Sequence, residues 1–472
     1  MVCFCGAPAC VVPCRPSISN ILLYSSRNLS PGLPNAVSLT SLLLFSHFSA
    51  PKASPALYRR AHAAAAPTLR EICSGSVPEH ILQRAEEIGY VVPTAVQNQS
   101  LPLLLSGRDC ILHAQTGSGK TLAYLLLVFS ALDFNRSVVQ ALIVVPTREL
   151  GMQVTKVARA LATMPKGYEG TRTCTVMALL DGGMLKRHRS WLKAEPPQIV
   201  VATIGSLCQM LEKHALKLEA MRVLVIDEVD FMFNSSKQVH LLRKLLTSYS
   251  AISGRQTILA SATIPQHNRF VHDCVQQKWT KNDVVHVHVN PVEPMPSNLC
   301  HKFVICSRKE RLQTLLYLLQ KDMPKSGIVF VGEQSEKSKK LGQPPSTTLI
   351  IEFLRASYGG CLEVILLEEE MNFNARATSF SELRERGCLL VSTDIASRGF
   401  DLPQTTHIYN FDLPRSAVDY LHRAGRTGRI PFSKDKCSVT SLITKEERFV
   451  LQRFENVLMF QCEELVLESL TN

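Results

Sequence analysis

At 472 residues the chain is long enough for two or three domains, and its 46% hydrophobic and 19% charged content excludes a wholly disordered protein. The formal net charge is +12, but residues 1–70 hold six Lys or Arg and no Asp or Glu, so +6 of that +12 lies in them. The remaining +6 is spread over the rest of the chain; it permits an anionic partner such as RNA and is weak support for one.

Residues 1–66 read as a transit-peptide-like disordered segment. Ten serines in the first 70 residues, an alanine run (Ala61, then Ala63 to Ala66) and no acid before Glu71 match organelle transit composition. Pro13 and Arg15 interrupt the apolar stretch around Val11, which argues against a secretory signal. Leu42 to Phe48 is far short of the ~20 apolar residues of a membrane span. Ser outweighs Arg, which favours a chloroplast over a mitochondrion; an untargeted tail is the plain alternative. Of fifteen cysteines, four lie in the first fourteen residues, and there is neither a CxxC pair nor a Cys–His ligand spacing. They read as reduced and mostly structural, with a metal site in the early cluster as the alternative.

The first strong signal follows the apolar stretch Cys110 to His113. Ala114, Gln115, Thr116, Gly117, Ser118, Gly119, Lys120 and Thr121 form a Gly-rich loop, and the helical pattern Leu122 to Leu132 follows. Strand, loop and helix in this order make a nucleoside triphosphate site. The glycines let backbone N–H groups approach phosphate oxygens, Lys120 can reach the β- and γ-phosphates, and Thr121 can ligate Mg²⁺. Ala114 stands where the general pattern has Gly.

Further along, Gln140 to Val145, Gln198 to Ala202, Val223 to Ile226 and Thr257 to Ala260 are nearly continuous apolar runs, as in parallel strands buried on both faces. Asp227 and Glu228 follow the third of these. An acid at that point of a triphosphate-binding domain is placed to hold Mg²⁺, and the neighbouring Glu228 to orient or deprotonate water. Prolines at 291, 294 and 296 mark a linker over 289–297. A second apolar series follows: Gly327 to Val331, Leu362 to Leu367, Leu389 to Ser392, His407 to Asn410 and Val439 to Ile443. Two α/β domains result, over 67–288 and 298–472, the second interrupted by a polar loop at 333–346. Glu446 to Leu470 reads as an amphipathic helix, more suited to packing or a partner surface than to reading RNA.

With Asp227-Glu228-Val229-Asp230 in place, the chain resembles the DEAD-box family of ATP-dependent RNA helicases, over roughly residues 71 to 450. The resemblance implies two RecA-like domains, each a mostly parallel sheet with helices on both faces. It also implies ATP and Mg²⁺ as ligands, RNA as partner, and no membrane association. Gly89-Tyr90, Pro93-Thr94 and Gln97 resemble the adenine-reading Q motif, where an amide can match both polar groups of the base edge. Pro146-Thr147-Arg148-Glu149-Leu150 and Gly182-Gly183 resemble RNA-backbone contacts. Ser261-Ala262-Thr263 resembles the motif that couples hydrolysis to strand separation, together with Asp230. Thr393-Asp394 through Arg398-Gly399-Phe400-Asp401 resembles the stretch that touches RNA and ATP, with Gly399 and Asp401 on the nucleotide. His422-Arg423-Ala424-Gly425-Arg426-Thr427-Gly428-Arg429 resembles the closing motif, with His422 and Arg423 in coupling and Arg426 and Arg429 as arginine fingers. With its transit-like segment the chain looks most like a plant chloroplast member.

Each residue also has a plainer reading. Gly182-Gly183 would suit an ordinary turn, Ser261 and Thr263 a helix cap, and Arg148 an ordinary surface. Some motifs depart from the family pattern. One RNA contact reads Thr203-Ile204-Gly205-Ser206 and lacks its arginine; another reads Phe373-Asn374-Ala375-Arg376 and lacks its glutamine. Glu368-Glu369-Glu370 stands where the family usually has His-Gly. The aromatic that stacks on adenine has no match, Leu69 and Ile72 being nearest. The expected activity is ATP-driven, local and non-processive opening of RNA duplexes. The alternatives are an RNA-dependent ATPase acting as a clamp or scaffold, and a DNA translocase.

Overall fold

The computed structural model describes residues 67–168, 173–180, 185–234, 236–249, 254–264, 268–289, 295, 299–360, 362–368, 371, 387–397, 405–428 and 437–467. These form two parallel seven-stranded sheets with helices packed on both faces. The first holds β1 (Cys110–His113), β2 (Ala141–Val145), β3 (Val176–Leu179), β4 (Ile199–Thr203), β5 (Val223–Ile226), β6 (Gln256–Ser261) and β7 (Val285–His288), in the order β3-β4-β2-β5-β6-β1-β7. The second holds β8 (Leu299–Ile305), β9 (Gly327–Phe330), β10 (Glu363–Leu367), β11 (Cys388–Ser392), β12 (His407–Asn410), β13 (Cys437–Ile443) and β14 (Glu463–Glu464), in the order β10-β11-β9-β12-β13-β8-β14.

The two orders are the same once the second is renumbered from its first strand, so the second lobe repeats the topology of the first. The apolar runs explain the layering. In β5, Val223 and Val225 enter one core while Leu224 and Ile226 enter the core on the opposite face, so every side chain is buried. The helix Lys120–Ala131 buries every residue from Leu122 to Phe129 and is enclosed by the rest of the first lobe.

The Gly-rich loop is not repeated in the second lobe. Where the Gly-rich loop leaves β1, the second lobe has Cys306-Ser307-Arg308-Lys309-Glu310 after β8, with no glycine. Arg311, nearly buried, pairs there with Asp412 at 2.7 Å and with Glu447. Asp412 follows β12, the counterpart of β5, and its other oxygen accepts from the Gly332 amide at 2.9 Å. Internal ion pairs thus occupy the ground that a triphosphate would take in this lobe.

Three expectations need correction. The segment Glu446 to Leu470 is not one helix: the helix Arg448–Leu458 ends at Met459, whose φ is 54°, and the chain returns as β14 beside β8. Cys462, Leu465 and Leu467 then pack on the second lobe, which a continued helix would not allow. The loop at 333–346 contains the short helix Glu336–Lys340, capped by the Ser335 hydroxyl. Strands β3, β7 and β8 were absent from the sequence reading. The transit-like segment lies outside the described residues, as does most of the proposed linker; of the linker only Val289 and Met295 are described, and both are buried. Among the described residues no helix is long and apolar enough to cross a membrane.

Candidate active site

Adjacent strands β5, β6 and β1 all end at the same edge of the first sheet, and the candidate residues emerge there. The loop after β1 is tied to the end of β6 by the Ala114 amide, which donates to the Ser261 carbonyl at 3.1 Å. Gly117 (φ 78°) and Gly119 (φ 100°) lie in the left-handed region, so glycine is required to turn the loop into the helix. A Cβ on Gly119 would also sit 2.6 Å from Gln97 Nε2 and 2.8 Å from Thr94 Oγ1.

That crowding reflects a direct bond. Gln97 Nε2 donates to the Gly119 carbonyl at 3.1 Å, and its Oε1 accepts from the Thr94 amide at 2.9 Å. Thr94 and Gln97 form a reciprocal cap on the helix Ala95–Leu105. The amide expected to read adenine therefore also buttresses the phosphate loop. Leu69 is buried in the core and offers no face to a base.

Lys120 is buried and donates to the carbonyls of Ala114 and, at 3.0 Å, Gln115. Burial lowers its pKa; Glu228, Asp227 and Asp230 oppose that, and Arg426 of the second lobe adds to it. Asp227 is raised, first by burial and then by Glu228, against the pull of Lys120 and Tyr124. Tyr124, one turn along the helix from Lys120, donates to Asp227 Oδ2 at 2.8 Å. The Glu228 amide donates to Asp227 Oδ1 at 3.0 Å, and Glu228 itself has φ 49°. This left-handed angle in a bulky residue is strained and turns its carboxylate away from the strand direction. Glu228 Oε2 is buried without a hydrogen-bond partner. A cluster with more buried carboxylate than its one lysine neutralises, and with an orphaned oxygen, fits a bound divalent cation.

The second lobe enters the same place. His422 Nε2 and Asp230 Oδ2 are 3.0 Å apart with both side chains buried. Thr263 donates to that same oxygen at 2.6 Å, and the Asp230 amide donates to Ser261 Oγ at 3.4 Å. A Cβ on Gly425 would lie 2.3 Å from Thr116 Oγ1, so the second lobe's backbone abuts the phosphate loop. Arg426 is buried beside it, its Nε donating to the His422 carbonyl at 3.4 Å.

Arg423 faces inward instead. Its guanidinium takes both Asp394 oxygens, at 2.6 and 3.0 Å, and also Asn410 Oδ1 and the Asp412 carbonyl, over the ring of Phe330. Arg423 and Asp394 are thereby joined to each other within the second lobe. Thr147 caps the helix Arg148–Ala162, and Thr203 bonds Ser206 Oγ at 3.0 Å at the start of the helix Ile204–Glu212. Thr393 lines a cleft of about 290 Å³ together with Glu333, Lys339, Thr347, Glu368 and Arg415. Gly182, Gly183, Arg376, Arg398, Gly399, Asp401 and Arg429 lie outside the described residues. Sequence reasoning missed Tyr124 and named Gly425 only as part of the 422–429 motif, without its contact with Thr116. The signal for Tyr124 was its position four residues after Lys120 on the loop's own helix.

Two family models match in tandem, "DEAD/DEAH box helicase" over residues 94–270 and "Helicase conserved C-terminal domain" over 309–431. A rice relative (Oryza sativa subsp. japonica) named DEAD-box ATP-dependent RNA helicase 58, chloroplastic, is 75% identical over 412 residues, 87% of this chain and 92% of the relative. The chain belongs to the DEAD-box ATP-dependent RNA helicases. An Arabidopsis thaliana protein of the same name is 67% identical over 401 residues, 85% of this chain and 84% of its own length. Among solved structures, the DEAD-box helicase Mss116 bound to ssRNA and UDP-BeF is similar with a TM-score of 0.73 at 21% identity, over 85% of this chain and 81% of that one. That likeness supports the tandem RecA-like fold. This DEAD-box helicase is thus an ATP-hydrolysing enzyme, and its compartment is the chloroplast, named for both plant relatives.

Proposed function

We propose that this helicase opens short RNA duplexes locally and without processive movement, using one ATP site divided between its lobes. The observation that carries this reading is the buried His422–Asp230 contact, which ties the second lobe to the acid cluster of the first. Gln97 and the 114–121 loop bind the nucleotide, with Gly399 and Asp401 completing the pocket. Thr121 and Asp227 would hold Mg²⁺, which supplies charge neutralisation between the β- and γ-phosphates. Glu228 orients and deprotonates the attacking water. Arg426 and Arg429 stabilise the charge of the transferring phosphoryl group, an effect worth about 10³- to 10⁵-fold in rate.

Asp230, Ser261, Thr263, His422 and Arg423 relay lobe closure to the RNA surfaces. Thr147, Arg148, Gly182, Gly183, Thr203, Arg376, Thr393, Asp394 and Arg398 contact RNA through phosphate and sugar, so sequence preference is low. Domain limits follow as 67–288 and 298–472 around a linker at 289–297, with residues 1–66 a transit-peptide-like segment cleaved somewhere before Pro67. The test is ATP turnover of the chain with and without RNA, alongside ATP-dependent separation of a short RNA duplex. Stimulation by RNA with strand release is expected. RNA-independent turnover would overturn the split-site reading.

One observation favours a second reading, an RNA clamp that separates strands poorly. Glu333 and Glu368 line the cleft beside Thr393; Glu333 pairs with Arg415 at 3.0 Å, and Glu368 accepts from Thr347 at 2.7 Å. Carboxylates at that position repel phosphate. RNA-stimulated turnover without duplex separation would favour the clamp.

A further inference from the structure

Three histidines gather at the outer edge of the first sheet. Strand β7 is the edge strand, and its parallel register with β1 sets His288 opposite His113. The period of two along a strand puts His286 on the same face as His288. The rings stack nearly parallel, His113 to His288 at 3.9 Å, His113 to His286 at 5.5 Å and His286 to His288 at 5.6 Å. One nitrogen from each lies within 4.8 Å of the others. His113 is half-buried and its Nδ1 is buried without a hydrogen-bond partner, while His286 and His288 are exposed.

We propose that His113, His286 and His288 form a three-imidazole site for a divalent transition-metal ion, with Zn²⁺ the best match and the fourth position open to water. An all-nitrogen donor set suits Zn²⁺, Cu²⁺ or Ni²⁺ and not Mg²⁺ or Ca²⁺. Zinc–nitrogen bonds of about 2.0–2.1 Å in a tetrahedron require donors about 3.4 Å apart. The rings must therefore turn out of their stack and draw in by about an ångström. The His ring torsion is broad and soft, and two of the rings are at the surface. His113 serves as the anchor. Burial, reinforced by the neighbouring imidazoles, pushes its pKa down to about 3, and His286 is lowered for the same reasons. Neutral imidazole is the state a metal needs.

The position gives such an ion a consequence. His113 is the residue before Ala114, and the Val289 amide donates to the His113 carbonyl at 3.0 Å. A bound ion would clamp the edge strand to the strand that carries the phosphate loop.

The experiment measures Zn²⁺ binding to the full chain by calorimetry at pH 7.5 with thiols reduced, for the native protein and for His286→Ala/His288→Ala. The native chain is expected to bind one equivalent more than the double variant, or to bind that equivalent at least about tenfold more tightly. Co²⁺ in place of Zn²⁺ should show d–d bands at this site without a thiolate charge-transfer band, and those bands should vanish in the variant. Zn²⁺ should raise the melting temperature of the native chain and not of the variant. ATP turnover with Mg²⁺ and without added Zn²⁺ should be equal in both, showing an intact fold. Equal stoichiometry and affinity in the two proteins, or thiolate bands alone, would overturn the proposal.

Discussion

Glu228 combines a left-handed backbone, a buried orphaned oxygen and a place beside Asp227. Such strain persists only where surrounding structure enforces it, and here the Glu228 amide is held by Asp227 Oδ1 while its carbonyl accepts from the Phe231 and Met232 amides in the helix Val229–Asn234. If its carboxylate activates water, Glu228→Gln should lower ATP turnover by about 10²-fold or more, while RNA binding in the presence of ATP is retained. Single-turnover ATPase and filter binding check both; a wild-type rate in the variant contradicts the role. Lys120 is held by loop carbonyls and surrounded by acids. Lys120→Ala should weaken nucleotide binding and turnover together, read by a fluorescent ATP analogue and by phosphate release. Both residues were legible because the Gly-rich loop and the strand-end acid pair are local patterns. Tyr124 was not, since it matters through Asp227, more than a hundred residues away; Gly425 was legible within its motif, but its approach to the equally distant Thr116 was not.

At the scale of elements, most buried parallel strands were readable from a continuously apolar run, although β3, Val-Met-Ala-Leu, was missed. β5 and β12 fall at Val223–Ile226 and His407–Asn410, the limits expected. β7 reads Val-His-Val-His and β8 Leu-Cys-His-Lys-Phe-Val-Ile, and their polar residues hid them. β7 tolerates that alternation because it is an edge strand with one wet face. In β8 the odd residue is His301, buried with Nδ1 at 2.9 Å from the Tyr420 hydroxyl and its ring 4.4 Å from that of Phe460. Burial depresses its pKa to about 4. The folded state therefore disfavours the proton that the unfolded chain accepts near pH 6.5. Its contribution is complete above about pH 6.5 and is lost as pH falls toward 4, a difference on the order of 3 kcal/mol. His301→Gln should flatten that part of the stability–pH curve, measured by urea unfolding from pH 7.5 to 4.5. An unchanged slope contradicts the assignment.

On the scale of the whole molecule, two lobes with one strand order divide their labour. The first keeps the phosphate loop and the acids; the second fills the equivalent ground with the Arg311 pairs and sends His422, Gly425 and Arg426 across to its neighbour. Under the proposed function such a site would link ATP to RNA, each ligand favouring the closed arrangement and so the other by an equal factor. Phosphate contacts should also make RNA binding fall steeply with salt. The sequence motifs predicted the two lobes, but the cross-lobe contacts depend on a closure geometry that spacing along the chain does not encode.

The direct measurement is the affinity of a short single-stranded RNA with and without a non-hydrolysable ATP analogue and Mg²⁺, for the native chain and for His422→Ala. The expected result is RNA binding about fivefold or more tighter with nucleotide in the native chain, and loss of that gain in the variant. Equal RNA affinity with and without nucleotide in the native chain would contradict a shared site that closes over both.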